Sequence, residues 1–351
     1  MGVTVHLHEG RWQAHLATVV AEAPAIVPVV KGHGYGFGLP RLARECQRLG
    51  LDTIAVGMAS EVGAVRDSFH GDVVVLQPYE QSDDLARTRA GDPRVLTTVS
   101  RLDDLRALVA DGGRPRVLVE VLTSMRRHGL SEEELAAAGP LLDGVTFEGW
   151  TIHLPLREEG RYAEALRLAR AALATAPGPL WLSHLPAEQV RGLAAEVGGA
   201  GGPVPVRARV GTRLWLGDAA GRRTTATVLD VHRVRRGERA GYRGRVVPGN
   251  GWVVVVAGGT SHGVGLEAPT SASSWRQRAT ALATGSLEAA GRALSPFTIG
   301  GRKRWFLEPP HMQSSLLFLP ASVSPPRVGD DVPVELRLTI ATPDAVVLSA
   351  S

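Results

Sequence analysis

The chain contains a single cysteine, very little lysine and no long apolar run. Cys46 is the only cysteine in 351 residues, which excludes an intramolecular disulfide framework and agrees with a reducing compartment. No apolar run reaches the length that spans a membrane. The first residues, MGVTVHLHEG, fit neither a secretory nor a myristoylation signal. We therefore expect a cytoplasmic protein without a membrane partner.

The charged residues do not form the patterns that bind nucleic acid. The net charge is +4 and the sequence pI is about 9.7, but the arginines are scattered among acidic residues without a long basic run. Nucleic-acid binding is therefore the least supported of the functions considered, and no nucleic-acid partner is expected. The histidines show no metal-ligand spacing, so no metal site is expected. Of the 39 basic residues only Lys31 and Lys303 are lysine.

Short β-branched runs alternate with helical patterns over the first two thirds of the chain. This alternation predicts βα units around a parallel sheet, and eight such runs predict a closed (β/α)8 TIM-type barrel. The predicted strands are Ala25–Lys31, Thr53–Gly57, Asp72–Gln77, Arg94–Val99, Arg116–Leu122, Val145–His153, Leu180–His184 and Val204–Val210.

After Gly217 the pattern changes to alternating strand-like pieces separated by Gly, Pro and Asn turns. It predicts a C-terminal, mostly β domain. We assign 12–217 to the barrel, and 1–11 with 218–351 to the β domain.

Five basic or imidazole side chains follow predicted barrel strands: Lys31, Arg127, His153, His184 and Arg209. Any one of them is explained by a strand that ends at solvent. Active sites of barrels lie at the carboxyl ends of the strands, so five together favour a site on this rim.

Lys31 stands out because it begins a glycine-rich stretch, KGHGYGFG. A solvated lysine beside a turn is one interpretation. A dinucleotide loop is not, because the glycine spacing never gives G-x-G-x-x-G. The other interpretation is a reactive amine, since apolar surroundings and nearby cations lower a lysine pKa and produce the neutral amine that forms Schiff bases. Arginine stays protonated and cannot do this.

These residues resemble the motifs of the alanine racemase family, in order along nearly the whole chain. KGHGYGFG is similar to its pyridoxal-phosphate motif K-A-N-A-Y-G-H-G, which implies that Lys31 holds the cofactor and Tyr35 contacts its phosphate. VEVLTSMRRHGL resembles K-x-D-T-G-M-x-R-x-G and places Arg127 at the arginine that helps hold the substrate carboxylate. The resemblance implies pyridoxal 5'-phosphate and an amino-acid substrate.

The resemblance continues into the last barrel strands and the β domain. RVGTRLWLGD resembles R-P-G-x-x-L-Y-G and places Arg209 opposite the pyridine nitrogen. The family resemblance also implies that Tyr242, in RAGYRG, is a second catalytic base supplied across a homodimer interface. It further implies that Met312, in PPHMQSS, lies at the substrate site. Further cofactor contacts implied by the resemblance are His153, His184, Gly211 and Thr212. Racemisation requires one base on each face of the substrate, and the implied bases are Lys31 and Tyr242. The resemblance also implies that His153 and Arg209 take part in catalysis, with His153 hydrogen-bonded between Arg209 and Tyr242 in a cationic network that lets the phenol act as a base.

Several positions depart from the family pattern. Glu120 stands where the family often has a carbamylated lysine, and we hypothesise that it supplies a carboxylate to Arg127; alternatively it faces another interior layer of the barrel. Glu188 of HLPAE stands where a phosphate-binding serine is expected, so Ser183 or Thr212 is an alternative. GGTSHG (258–263) replaces the family's entrance loop, and His262 and His311 are candidates to line the altered entrance; alternatively each is a solvated loop histidine.

The sequence therefore predicts a pyridoxal-phosphate-dependent racemase that interconverts L- and D-amino acids, with alanine as the default substrate. One alternative is a decarboxylase or epimerase acting on another amino acid through the same cofactor. Another is a non-catalytic relative that binds the cofactor.

Overall fold

The computed structural model describes residues 2–23, 25–266 and 293–349. It divides into two compact units, one formed by 14–217 and the other by 1–13 together with 218–351. The chain begins with β1 (Val3–His8) and α1 (Glu9–Glu22). Among the described residues, no helix combines the length and the apolar character needed to cross a bilayer.

The first unit is built on eight parallel strands arranged as a barrel, as the sequence predicts. The strands are β2 (Val27–Pro28), β3 (Thr53–Val56), β4 (Asp72–Val75), β5 (Val95–Val99), β6 (Arg116–Val121), β7 (Thr146–His153), β8 (Leu180–Ser183) and β9 (Val206–Val210). β2 pairs with β9, and the circle is completed by a parallel bridge between Val29 and Ala55. β2 is shorter than predicted, although the N–H groups of Val29 and Val30 donate to the carbonyl oxygens of Val210 and Ala55 at 2.8 and 2.6 Å.

Helices follow most of the strands and pack on the outside of the barrel. They are α2 (Leu39–Arg48), α3 (Val62–Arg66), α4 (Asp84–Ala90), α5 (Leu102–Ala110), α6 (Glu132–Ala138), α7 (Arg161–Thr175), α8 (Ala187–Gly198) and α9 (Thr212–Leu216). Short 3-10 turns cover Gly34–Gly36, Ala59–Glu61, Gly139–Gly144 and Gly199–Gly201. α7 shows why the sequence forms such helices: Ala165, Leu168, Ala169 and Ala172 are buried at the helical spacing that places them on one face.

Two apolar clusters hold the barrel together. The larger joins the helices to the outer faces of the strands. The smaller is drawn from strand residues, including Val27, Val74, Leu118 and Trp181, and fills the interior. Toward the carboxyl ends of the strands the interior side chains become polar, which is where a barrel places its chemistry.

The second unit is a mostly antiparallel sheet, so the predicted β domain is confirmed. Its strands besides β1 are β10 (Arg222–Val234), β11 (Arg239–Ala240), β12 (Arg245–Val246), β13 (Gly251–Ala257), β14 (Leu294–Ile299), β15 (Arg302–Phe306), β16 (Ser314–Pro320), β17 (Asp331–Pro333) and β18 (Ala345–Ser349). The order is β14-β15-β16-β13-β10-β1-β18, with β17 also on β10. β11 and β12 form a separate two-stranded ribbon. A short 3-10 turn covers Thr260–His262.

Candidate active site

Lys31 lies at the carboxyl end of the first barrel strand, where the chain enters the glycine-rich loop. The four alternating glycines at 32, 34, 36 and 38 all have positive φ, between +62° and +84°, a region that residues with a Cβ rarely occupy. The backbone conformation of this loop therefore explains why every second residue is glycine. Because the loop turns so sharply, Lys31 is left at the rim with its side chain reaching solvent.

The surroundings of Lys31 lower the pKa of its amine. Partial desolvation is the main cause, and the positive charges of Arg127 and Arg209 lower the pKa further, while the negative charge of Glu61 raises it. Two cations therefore act on Lys31 against one carboxylate, which favours the neutral amine more than in a free lysine.

Glu61 lies close to Lys31, and the sequence did not reveal it as a residue of this site. Its buried carboxylate accepts backbone N–H bonds from Gly32 at 2.7 Å, Gly57 at 2.6 Å and Met58 at 3.2 Å. One side chain thus ties the peptide that follows Lys31 to the loop after β3. The only sequence signal was a carboxylate shortly after a barrel strand, which by itself indicates a solvated residue.

Arg209 is buried in the last barrel strand beside the interior carboxylate of Glu120. Burial lowers the pKa of its guanidinium to about 10, with Arg127 adding to the effect and Glu120 opposing it, so it remains a cation at neutral pH. Its Nε is buried without a hydrogen-bond partner among the described residues. A buried donor without an acceptor is costly, and it indicates a ligand atom that accepts a hydrogen bond here.

His153 ends β7 and lies between Ser183 and Arg209. Its Nδ1 is 2.7 Å from the Ser183 hydroxyl and 3.5 Å from Arg209 Nη2. Burial, followed by the charges of Arg209 and Arg127, lowers the pKa of His153 to about 3. The ring is therefore neutral at physiological pH. Since Arg209 can only donate, Nδ1 is the acceptor and the proton lies on Nε2.

His184 completes the group of rim residues. Its ring lies 4.9 Å from that of His153, and its Nδ1 is 2.7 Å from the carbonyl oxygen of Leu154. The pKa of His184 is lowered, chiefly by desolvation. The rim residues lie close enough together for their charges to affect one another's pKa values. They are Lys31, Arg127, His153, His184 and Arg209.

Tyr35, Gly211 and Thr212 meet at the neighbouring side of the rim. Tyr35 is buried and its hydroxyl is hydrogen-bonded to Thr212, while burial raises the pKa of the phenol to about 12. A Cβ on Gly211 would lie 2.4 Å from the Tyr35 hydroxyl oxygen, so only glycine allows this approach. Ser183, the alternative phosphate ligand, is instead bonded to His153, and Glu188 lies exposed in the first turn of α8.

The predicted contact between Glu120 and Arg127 is not formed in the described structure. Glu120 is buried and accepts a hydrogen bond at 2.8 Å from the hydroxyl of Ser100. The Arg127 side chain is exposed on the loop that follows β6. Glu120 points into the barrel because alternate residues of a strand face opposite sides, and its charge acts on Arg209 instead.

The remaining predicted residues lie in the second unit. Tyr242 is 89% exposed and Met312 is 71% exposed. His262 was expected at the entrance, but it is buried, with Nε2 at 3.0 Å from the Asp344 carboxylate and Nδ1 accepting from the N–H of Gly259 at 3.2 Å. His262 therefore holds the 258–263 loop in place.

Curated proteins that are similar in sequence to this chain include two alanine racemases. The family model described as alanine racemase, N-terminal domain, matches residues 8–184. The catabolic alanine racemase of Mesorhizobium japonicum is 31% identical over 164 residues, which is 43% of this chain and 43% of that protein. An alanine racemase of Nitratidesulfovibrio vulgaris is 29% identical over 138 residues, or 38% of this chain and 37% of that protein. The matched region thus spans less than half the length of either relative.

Solved structures match over almost the full length. An alanine racemase from E. faecalis has a TM-score of 0.71 at 16% identity, with 99% of this chain and 98% of that chain covered. One from Bartonella henselae, solved with covalently bound pyridoxal phosphate, has a TM-score of 0.70 at 15% identity, with 99% and 100% covered. At these identities the likeness establishes the fold.

Proposed function

The chain belongs to the alanine racemase family, and on that premise we propose that it is a pyridoxal-phosphate-dependent amino-acid racemase. The observation that carries the proposal is the group of Lys31, Arg127, His153 and Arg209 at one barrel rim. It combines an amine of lowered pKa, a buried guanidinium whose Nε lacks an acceptor, and a neutral imidazole 3.5 Å from that guanidinium. Alanine is the substrate we propose first.

The rim residues fit pyridoxal phosphate. The unpartnered Nε of Arg209 matches the acceptor lone pair of a pyridine nitrogen, and the close approach over Gly211 leaves the Tyr35 hydroxyl and Thr212 to contact a phosphate. Lys31 would hold the aldehyde carbon, with His153 and His184 beside the ring. When bound, the cofactor takes up the electron pair that remains when the α-proton of an amino acid leaves.

The chain's own residues would then bind the substrate and move the proton. Arg127 offers a guanidinium to the substrate carboxylate, because it is exposed at the rim and its charge acts on Lys31. The Lys31 Nζ takes or returns the α-proton on one face, and the Tyr242 hydroxyl does so on the other. The lowered pKa of Lys31 brings its amine closer to the neutral form, which can accept a proton.

Tyr242 lies in the second unit and is almost fully exposed. We propose that the protein acts as a homodimer in which Tyr242 of a second copy faces Lys31. In the described structure His153 Nε2 has no hydrogen bond, so its N–H is available to that phenol. The barrel, 12–217, would then be the cofactor-binding domain, and the β domain would supply the second base and the dimer contacts.

Arg209 also separates the racemase from a decarboxylase that uses the same cofactor. A guanidinium does not give up its proton at neutral pH, so a pyridine nitrogen beside it stays unprotonated and is a weaker electron sink than one beside a carboxylate. A weaker sink favours proton exchange over loss of carbon dioxide. Glu188, which is exposed in the first turn of α8 where a phosphate-binding serine was expected, favours the alternative of a non-catalytic relative.

The test is α-proton exchange in D2O. The protein with added pyridoxal phosphate is incubated with a panel of L- and D-amino acids, and deuterium at the α-carbon, optical rotation and carbon dioxide are followed. We expect deuterium in both enantiomers of at least one amino acid, with optical rotation lost and no carbon dioxide. Lys31→Ala is the matched inactive control. Carbon dioxide release, or no exchange in any member of the panel, would contradict the proposal.

A further inference from the structure

We propose that Glu308 and His311 are positioning residues that hold Tyr242 in its working orientation before a substrate or a second copy of the chain reaches it. The proposal rests on the proposed function, in which Tyr242 is the second base. His311 lies in the segment PPHMQSS and Glu308 directly precedes it, but the family resemblance gave a role only to Met312 of this segment. Both lie beside the ribbon formed by β11 and β12, within the second unit.

Tyr242 stands at the tip of this ribbon. The turn runs from Gly241 to Gly244, and the N–H of Gly244 donates to the carbonyl of Gly241 at 3.1 Å. The two central residues, Tyr242 and Arg243, point their backbone N–H groups at the carboxylate of Glu308, at 2.9 and 3.1 Å. A single side chain therefore accepts both inward N–H groups of an exposed turn.

The Glu308 carboxylate is the buried element of this arrangement, since only 4% of the residue is exposed. Burial by itself would raise its pKa, but the N–H groups of Arg243 and Tyr242 and the ring of His311 outweigh that effect and lower it. A Cβ on Gly241, which has φ +79°, would lie 2.2 Å from the carboxylate oxygen. The residue before Tyr242 must therefore be glycine for the carboxylate to fit.

His311 extends the hold from the backbone to the aromatic ring. Its Nε2 is 2.7 Å from the Glu308 carboxylate, which fixes the orientation of the imidazole. The same imidazole lies against the Tyr242 ring, with centroids 4.6 Å apart and a tilt of 53°. Glu308 thus acts on Tyr242 twice, directly through its backbone and indirectly through His311.

This arrangement explains how an 89% exposed tyrosine can act with precision. A free tyrosine on a two-stranded ribbon would sample several side-chain rotamers, and a reacting group must be held within fractions of an ångström of its target. Buried charge on Glu308 is costly unless it is fully hydrogen-bonded, and here its donors are the turn that carries Tyr242 and the ring that contacts it.

The test uses 3-fluorotyrosine, because the chain has only four tyrosines. Tyr242→Phe assigns the Tyr242 signal in the 19F spectrum of the full chain. We expect Glu308→Gln to shift that signal, to leave the other three in place, and to lower kcat at least tenfold with KM changed less than threefold. His311→Gln keeps an N–H donor for Glu308 but removes the ring, so we expect the signal to shift with a smaller loss of kcat. Glu335→Gln, at an exposed ion pair with Lys303, is the control and should change neither.

The outcomes separate this proposal from the proposed function. Turnover is measured with the amino acid that the exchange panel identifies. Full turnover by Tyr242→Phe would overturn the role of Tyr242 as a base, and with it the positioning role. If Tyr242→Phe is inactive while Glu308→Gln and His311→Gln keep wild-type kcat, only the positioning role is overturned, whether or not the 19F signal moves.

Discussion

The replacement of Glu61 by glutamine tests how Lys31 is held at the rim. The carboxylate accepts from Gly32 with one oxygen and from Gly57 and Met58 with the other. Glutamine has one oxygen and an NH2 group, so at least one partly buried N–H would face a donor. A hydrogen bond to a charged group contributes about 1.5–3 kcal/mol. Because these N–H groups are only partly buried, we expect the free energy of unfolding to fall by about 1–3 kcal/mol. Loss of the negative charge should also lower the pKa of Lys31 further.

Both effects of Glu61→Gln can be measured without cofactor. Urea unfolding gives the stability, and reductive 13C-methylation gives two lysine signals, from Lys31 and Lys303, whose shifts are followed against pH. Glu159→Gln is the control, since Glu159 pairs with Arg157 at an exposed surface, where such pairs contribute less than about 1 kcal/mol. A Lys31 that titrates at or above the ordinary lysine value in the wild type, or rises in Glu61→Gln, would refute this account of the rim.

Two further changes probe the cofactor side and the imidazole. Gly211→Ala would place a methyl group 2.4 Å from the Tyr35 hydroxyl oxygen, so we expect the affinity for pyridoxal phosphate, measured by visible absorbance, to fall at least tenfold. Gly201→Ala is the control, because a Cβ there meets nothing within 4 Å, and it should leave the affinity unchanged. Equal affinities of the two variants would contradict the assignment of Gly211 to the cofactor site. The pKa of His153 is about 3 in the folded chain against 6.5 in the unfolded chain. Below pH 6.5 the unfolded state therefore binds a proton that the folded state does not, and the free energy of unfolding decreases as the pH is lowered, by about 1.4 kcal/mol per pH unit. Urea unfolding should therefore show the wild type losing roughly 2 kcal/mol more than His153→Gln between pH 7 and 5, and parallel losses would contradict the lowered pKa.

Much of the barrel could be predicted because its strands are short runs rich in apolar and β-branched residues. The run predicted at 145–153 is β7, Thr146–His153, and the imidazole that ends it lies at the rim. The polar interior was harder to predict, because its contacts join loops that are distant in sequence. Glu61 reaches back 29 positions to Gly32, and Ser183 meets His153 across 30.

The contacts in the second unit could not be predicted from the sequence. His262 and Asp344 are 82 positions apart, and Glu308 meets the N–H of Tyr242 across 66. A histidine in a glycine-rich loop and a carboxylate before two prolines indicate solvated residues when read locally. Only the folded sheet buries His262 and Glu308 and brings each of them to its partner.

The central claim is that the Lys31 amine bonds to an aldehyde cofactor at the barrel rim. The protein is saturated with pyridoxal phosphate, reduced with borohydride, digested, and mapped by mass spectrometry. We predict a reduced pyridoxyl adduct on the peptide that contains Lys31 and none on the peptide that contains Lys303. An unmodified Lys31 under saturating cofactor would contradict the claim.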